Sequence, residues 1–183
     1  MTSSATKGRD SFTASEAAAV DEARLEHLTF FIGGEEYAVD LHRVREVIRY
    51  DTVTRVPQLP PAIRGVTNLR GRVVPVVDLV TKFHGRDTAV DGRTCIVLVE
   101  PRVDGGPPVL GLITEAVGQV LALAAADIAA PPVFAAPIRV EFLRGMARVG
   151  KKFALVLDID RLLAPAELMS SALAQDEPTA VEP

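Results

Sequence analysis

The chain repeats itself in order. In its first half Ala38-Val39 leads to Val44-x-x-Val47-Ile48, and in its second half Gly111-Leu112 leads to Val117-x-x-Val120-Leu121. Ile63-Arg64 and Leu69-Arg70-Gly71 have counterparts in Ile138-Arg139 and Leu143-Arg144-Gly145, and Val77-Asp78-Leu79 has one in Leu157-Asp158-Ile159. The offsets drift from about 73 (111 − 38) to about 80 (157 − 77), as loop insertions produce. Coincidence among common apolar residues is the alternative, but the matches keep their order. A real duplication predicts two similar small β-barrels, each a run of short strands with one helix. The groove between two such barrels is a favoured place for a ligand.

The segment Ile63 to Leu79 has the clearest local signal. Two apolar runs flank a turn at Asn68-Leu69-Arg70-Gly71, and Asp78 starts a helix that runs to about His84. Pro75 cannot donate to a ladder, so its strand is expected at a sheet edge or at a bulge. Leu28 to Ile32, the turn Gly33-Gly34 and Tyr37 to Val39 read as another hairpin. Asp40 then precedes Leu41, Val44, Val47 and Ile48, whose helical spacing predicts a helix with Asp40 as its N-cap. Val53 to Val56 leads into a proline-rich bend at 57–61, and Gly85 to Arg93 reads as a loop. Thr94 to Val99 and Pro108 to Ile113 read as strands around Asp104-Gly105-Gly106, and Val117 to Leu123 extends the apolar pattern as far as Pro131-Pro132. Phe153 to Leu157 is a strand, followed by a helix from Asp158 or Asp160 that runs to about Ala174 with a break at Pro165.

The chain's 183 residues suit one domain or two small ones, and 48% hydrophobic content is ample for a core. Residues 1–24 and 171–183 read as flexible tails around a domain at 25–170, with the halves meeting near 85–95 and strands free to cross over. A net charge of −4 argues against general affinity for nucleic acid. No apolar run is long enough to cross a membrane and the N-terminus has no signal-peptide core, so a cytoplasmic location is the default. Cys95, the single cysteine, sits in an apolar run and reads as a small hydrophobe. His27, His42 and His84 lack metal-ligand spacing. Asp104-Gly105-Gly106 is a turn and not a phosphate loop, since no Lys-Ser or Lys-Thr pair opens a helix after it. Neither G-x-S-x-G nor H-E-x-x-H occurs. No catalytic residue, cofactor or metal is expected.

Gly65-Val66-Thr67-Asn68-Leu69-Arg70-Gly71 followed by Val74-Pro75-Val76-Val77-Asp78-Leu79 resembles the signature of the CheW-like domain family. Phe30 to Asp40, Val44 to Val47 and the loop Pro131 to Phe134 extend the resemblance over about residues 26–165. It implies a mainly β fold of two five-stranded SH3-like barrels around a hydrophobic centre. It also implies a non-catalytic scaffold that couples the cytoplasmic tips of chemoreceptors to the histidine kinase CheA, recruited to receptor arrays at the membrane without inserting into it. An adaptor of a parallel pathway controlling pili, surface motility or gene expression is a close variant. A two-barrel enzyme or small-molecule binder using the groove is the alternative from another class.

By the same resemblance, Val44, Glu46, Gly65, Arg70 and Val120 match the receptor-facing surface, and Ile128 and Phe134 lie in the loop that meets the kinase. Apolar anchors such as Val44 and Val120 suit a helical receptor tip, and Arg70 can fork onto a carboxylate. Core packing is the competing reading for Val44, Val120 and Phe134. For Arg70 it is an internal salt bridge or a solvated turn. Two departures from the family pattern bear on the kinase partner: the bland alanines at 124–126 and 129–130, and the missing Asp-Gly turn near Ile113 to Val117. Only the first copy has Asn68 ahead of its Leu-Arg-Gly, where the second has Phe142, so Arg70 is expected to be the working arginine and Arg144 its structural copy.

Overall fold

Short apolar runs rich in β-branched residues, broken by glycine-bearing turns, build about half of the described residues as strands. A computed structural model describes residues 24–131 and 138–168. Its strands are β1 (Arg24–Ile32), β2 (Glu35–Asp40), β3 (Val44–Arg49), β4 (Ile63–Leu69), β5 (Arg72–Asp78), β6 (Cys95–Val99), β7 (Leu110–Thr114), β8 (Ala116–Ala124), β9 (Ile128–Ala129), β10 (Leu143–Val149) and β11 (Lys152–Leu157). Two short helices, α1 (Leu79–His84) and α2 (Ile159–Leu162), follow β5 and β11. Residues 165–168 are also helical, and the expected continuation to Ala174 lies outside the described residues. So do the expected tails, apart from Arg24, which opens β1. Among the described residues no helix is long and apolar enough to cross a membrane.

The strands form two sheets, in the orders β8-β1-β2-β11-β10-β9 and β3-β6-β7-β5-β4. The fold is the expected mainly β, SH3-like one, but among the described residues the sheets have six and five strands and their ladders do not close. Each sheet draws on both halves of the chain. The β1–β2 hairpin joins β8 to β11, and the β6–β7 hairpin joins β3 to β5. Each join runs through a parallel contact, Ala38 beside Val156 and Gly111 beside Val76. The main core lies where the elements of both sheets meet, with Phe30, Tyr37, Leu79, Val97, Leu112 and Leu162 among its buried members.

The ladders fix the register of the duplication. Val44 and Val47 pair with Val99 and Val97, and Val117 and Val120 pair with Phe30 and Leu28. Each set spans three residues against two, so both copies carry a bulge at the same place. Here the offset is the 73 read from the sequence (117 − 44). Further on it is 80. Ile63 faces Val77 as Leu143 faces Leu157, and both hairpins are bulged one step later, at Gly65 and Gly145. The backbone N–H of Asp78 donates to Ala62 as that of Asp158 donates to Phe142. Leu143-Arg144-Gly145 is therefore the copy of Ile63-Arg64-Gly65, not of Leu69-Arg70-Gly71. Arg144 corresponds to Arg64, and Gly150 takes the place of Arg70.

Two other expectations need correction. Asp40 does cap a helical segment, accepting from the His42 N–H at 2.9 Å, but that segment is a 3-10 turn over Leu41–Arg43. Val44 to Arg49 is β3, with exposure alternating residue by residue. Val44, Val47 and Ile48 satisfy helical spacing, yet they are β-branched and find a ladder in β6. Pro75 lies on an interior strand. Val66, opposite it, exchanges hydrogen bonds with Thr54 on the far side of β4, at 2.8 and 2.9 Å. Pro75 is thus in a non-hydrogen-bonded pair and its nitrogen faces β7, where the ladder begins only at Val76. The proline removes no bond.

Candidate functional site

The β4–β5 turn is held from within. Arg70 and Gly71 both have positive φ, 50° and 82°, the sense that a two-residue hairpin turn requires. The Asn68 side chain accepts from the Gly71 N–H at 2.8 Å. Arg70, a residue with a Cβ in a left-handed conformation, is thereby fixed at the tip. Its guanidinium donates to Glu46 Oε1 at 2.9 Å, with the Arg70 side chain 78% exposed and that of Glu46 31%. The hairpin tip and strand β3 thus present one exposed ion pair on a rigid support.

The other expected receptor-facing residues divide. Val120 lies on β8 and is 49% exposed, like its repeat partner Val47 on β3 at 40%. Val44 is half-buried and packs against the main core. Gly65 is buried within β4, and a Cβ there would stand 2.2 Å from the Thr54 carbonyl oxygen. Its role in the fold is close backbone approach, and Gly145 repeats it against Ala129 at 2.3 Å. Of the expected kinase-facing residues, Ile128 is half-buried in β9, opposite Ala147, and packs on a small second core. Phe134 lies outside the described residues.

Asp78 shows how the hairpin is fastened at its other end. Its carboxylate is fully buried and accepts from Val80 N–H at 2.9 Å, Thr81 N–H at 3.1 Å, Thr88 N–H at 2.9 Å and Thr88 Oγ1 at 2.6 Å, and from Arg64. Burial pushes this carboxyl up, but the bonds from Thr88, Arg64 and Thr81 outweigh it and hold it below the usual carboxylate range. The same carboxylate caps α1, so the hairpin, the helix and the loop after it share one charged joint.

Two exposed side chains escaped sequence reasoning. Val73 is 72% exposed and Phe153 is 55% exposed, at matching positions in the two repeats (153 − 73, again 80). Their signal was available: each directly follows the first, basic residue of a strand after a turn, one step out of phase with a buried neighbour, Val74 or Ala154. Beside Val73 a cavity of about 260 Å³ opens, walled by Arg45, Arg70 and Arg72. Among the described residues no group of His, Cys, Asp and Glu side chains is placed to hold a metal ion.

Comparison with known proteins agrees with this architecture. Residues 26–167 match the CheW-like domain family. The chemotaxis protein CheW of Klebsiella aerogenes is 37% identical over 143 residues, spanning 78% of this chain and 84% of that protein. The chemotaxis protein CheW of Treponema pallidum is 29% identical over 160 residues, spanning 84% of this chain and 91% of that one. The crystal structure of the scaffolding protein TtCheW from Thermoanaerobacter tengcongensis superposes with a TM-score of 0.69 at 28% identity, covering 79% of this chain and 90% of the other. With its repeated hairpins, its two mixed sheets and its signature turn, the chain belongs to the CheW-like domain family.

Proposed function

We propose that this chain is a non-catalytic adaptor of chemotaxis signalling that couples chemoreceptors to a CheA-type histidine kinase. The observation that carries the reading is the exposed Arg70–Glu46 pair on the braced tip of the family's signature hairpin. A charged fork fixed on a rigid turn can set the register of a helical partner, because its orienting entropy is already spent within the hairpin. The half-exposed Val120 adds apolar contact on β8. The chemoreceptor's cytoplasmic tip is the partner assigned to this surface, with Val44 on β3 and Gly65 on β4 part of the strands that carry it. The kinase contact is assigned to the segment from Ile128 to Phe134. Binding to both partners would draw the protein to receptor arrays at the membrane.

Co-purification tests this directly. The full chain, mixed with a chemoreceptor cytoplasmic fragment and with the kinase, is expected to bind each singly and to join them in one complex. Binding to neither would sink the adaptor reading.

A further inference from the structure

We propose that the arginine-lined groove running from Val73 to Arg102 is a second binding site, and that it takes an acidic peptide segment. The groove consists of two adjoining cavities of about 260 and 370 Å³, whose shared walls are Arg45, Arg72, Pro108 and Val109. His42, Arg43, Glu100, Pro101 and Arg102 complete the larger one.

The charge in this groove is partly fixed and partly free. Arg43 is buried, bonded to Asp160, and its Nε has no acceptor among the described residues. His42 leans on Asp40 at 3.2 Å. Arg45 pairs with Glu100 at 2.8 Å, but both side chains are about half exposed, at 46% and 50%, so a ligand carboxylate can exchange with Glu100. Neither Arg72 nor Arg102 has an ion-pair partner for its side chain among the described residues. Among the described residues, two guanidinium groups of the groove have no carboxylate paired with them, in a chain whose net charge is −4.

The duplication supplies an internal control. At the equivalent positions of the other repeat, His42, Arg43 and Arg45 become Glu115, Ala116 and Gly118, and Arg72 becomes Lys152. Pro108 and Val109 become Glu35 and Glu36, which line a corresponding cavity of about 390 Å³ beside Phe153. The same topology is thus built with one basic residue, Lys152, at these positions, so outside the buried Arg43–Asp160 pair folding does not explain the arginines.

The chemistry favours peptide over membrane or free phosphate. The guanidinium groups sit around a concavity, whereas a lipid surface meets protruding side chains. Arginine forks match carboxylate geometry. The exposed Val73 and the proline wall offer an apolar strip beside the charge, as peptide-binding surfaces do. Arg70 borders the smaller cavity, so the groove adjoins the surface assigned to the receptor; Arg72 and Arg102, which lie outside the Arg70–Glu46 pair, separate the two readings.

Fluorescence anisotropy with a labelled peptide of alternating Glu and Leu, against the same peptide with Gln for Glu, tests it on the full chain. The acidic peptide is expected to bind at low salt and to weaken as salt rises. The double substitution Arg72→Glu with Arg102→Glu should weaken it by about tenfold or more, while Lys152→Glu, an equal change per charge at the equivalent site, should leave it unchanged. If the double variant melts early, Arg72→Gln with Arg102→Gln takes its place. The proposal is overturned if the Gln peptide binds equally well, if Lys152→Glu weakens binding as much, or if the acidic peptide does not bind at all. Binding of inorganic phosphate or phosphatidylserine vesicles in place of the peptide overturns it as well.

Discussion

Arg64 and Asp78 form an ion pair inside the mouth of the β4–β5 hairpin, with the arginine side chain 12% exposed and the carboxylate fully buried. Its copy, Arg144 with Asp158, is looser, at 3.7 Å with side chains 46% and 18% exposed. The two joints occupy the same place in the two repeats, yet only the first is sealed from water.

Unequal sealing predicts unequal cost. Asp78→Asn takes the charge from a buried acceptor that serves Arg64, Val80, Thr81 and Thr88, leaves Arg64 only the exposed Asp87 as a carboxylate partner, and should destabilise the protein by about 3 kcal/mol. Asp158→Asn weakens a helix cap and an exposed pair and should cost about 1 kcal/mol. Urea denaturation midpoints of the two variants measure the difference, and equal shifts would contradict this account.

Asp78 also sets an acid limit. The fold holds its pKa below the unfolded value of about 3.9. Its contribution is therefore complete above that value and fades as pH falls through the lower folded one. Stability should drop below about pH 4, and Asp78→Asn should flatten that drop. Thermal melts from neutral to acid pH, wild type against variant, compare the slopes.

Gly65 and Gly145 should tolerate no side chain. An added Cβ would stand 2.2 and 2.3 Å from carbonyl oxygens of neighbouring backbone, which cannot swing aside as a flexible side chain could. Alanine at either should cost more than about 2 kcal/mol. Gly71→Ala meets no atom within 4 Å and bears only the cost of its positive φ, about 1 kcal/mol. A denaturation series in that order checks the ranking.

Arg70→Glu should fold normally, within about 0.5 kcal/mol of wild type, because the pair it breaks is exposed. It should nevertheless weaken capture by a receptor cytoplasmic fragment. The exchange Arg70→Glu with Glu46→Arg restores an ion pair of reversed sense. If the pair only braces the hairpin, the exchange recovers binding; if Arg70 meets the receptor, it does not.

Much of this was legible in the sequence because the repeat carries its own ladder positions. Val44, Val47, Val117 and Val120 kept one offset, and the structure aligns them in that register. The later register slipped because Leu-Arg-Gly occurs twice by accident, once at a turn and once at a bulge. Only the pairing of Ile63 with Val77 and of Leu143 with Leu157 separates the two. The β3 error has a similar origin, since three apolar residues satisfy two periodicities until a partner strand decides. At the site, Arg70 was readable from the turn, but its bond to Glu46 depends on β3 lying beside the tip, a distant pairing that no local pattern records. At Gly65 the close approach of the Thr54 carbonyl depends on a distant bridge to β4, which no local pattern records.

The exchange of hairpins between the two sheets has a consequence for how the protein is made. β2 finds its parallel neighbour only when Leu155 and Val156 exist, so on the ribosome the first hairpin waits, edge bare, for the last of the described strands to emerge. Neither half can finish alone, and the second sheet, whose strands β3 to β7 follow one another along the chain, can close first and serve as the template on which the N- and C-terminal strands meet.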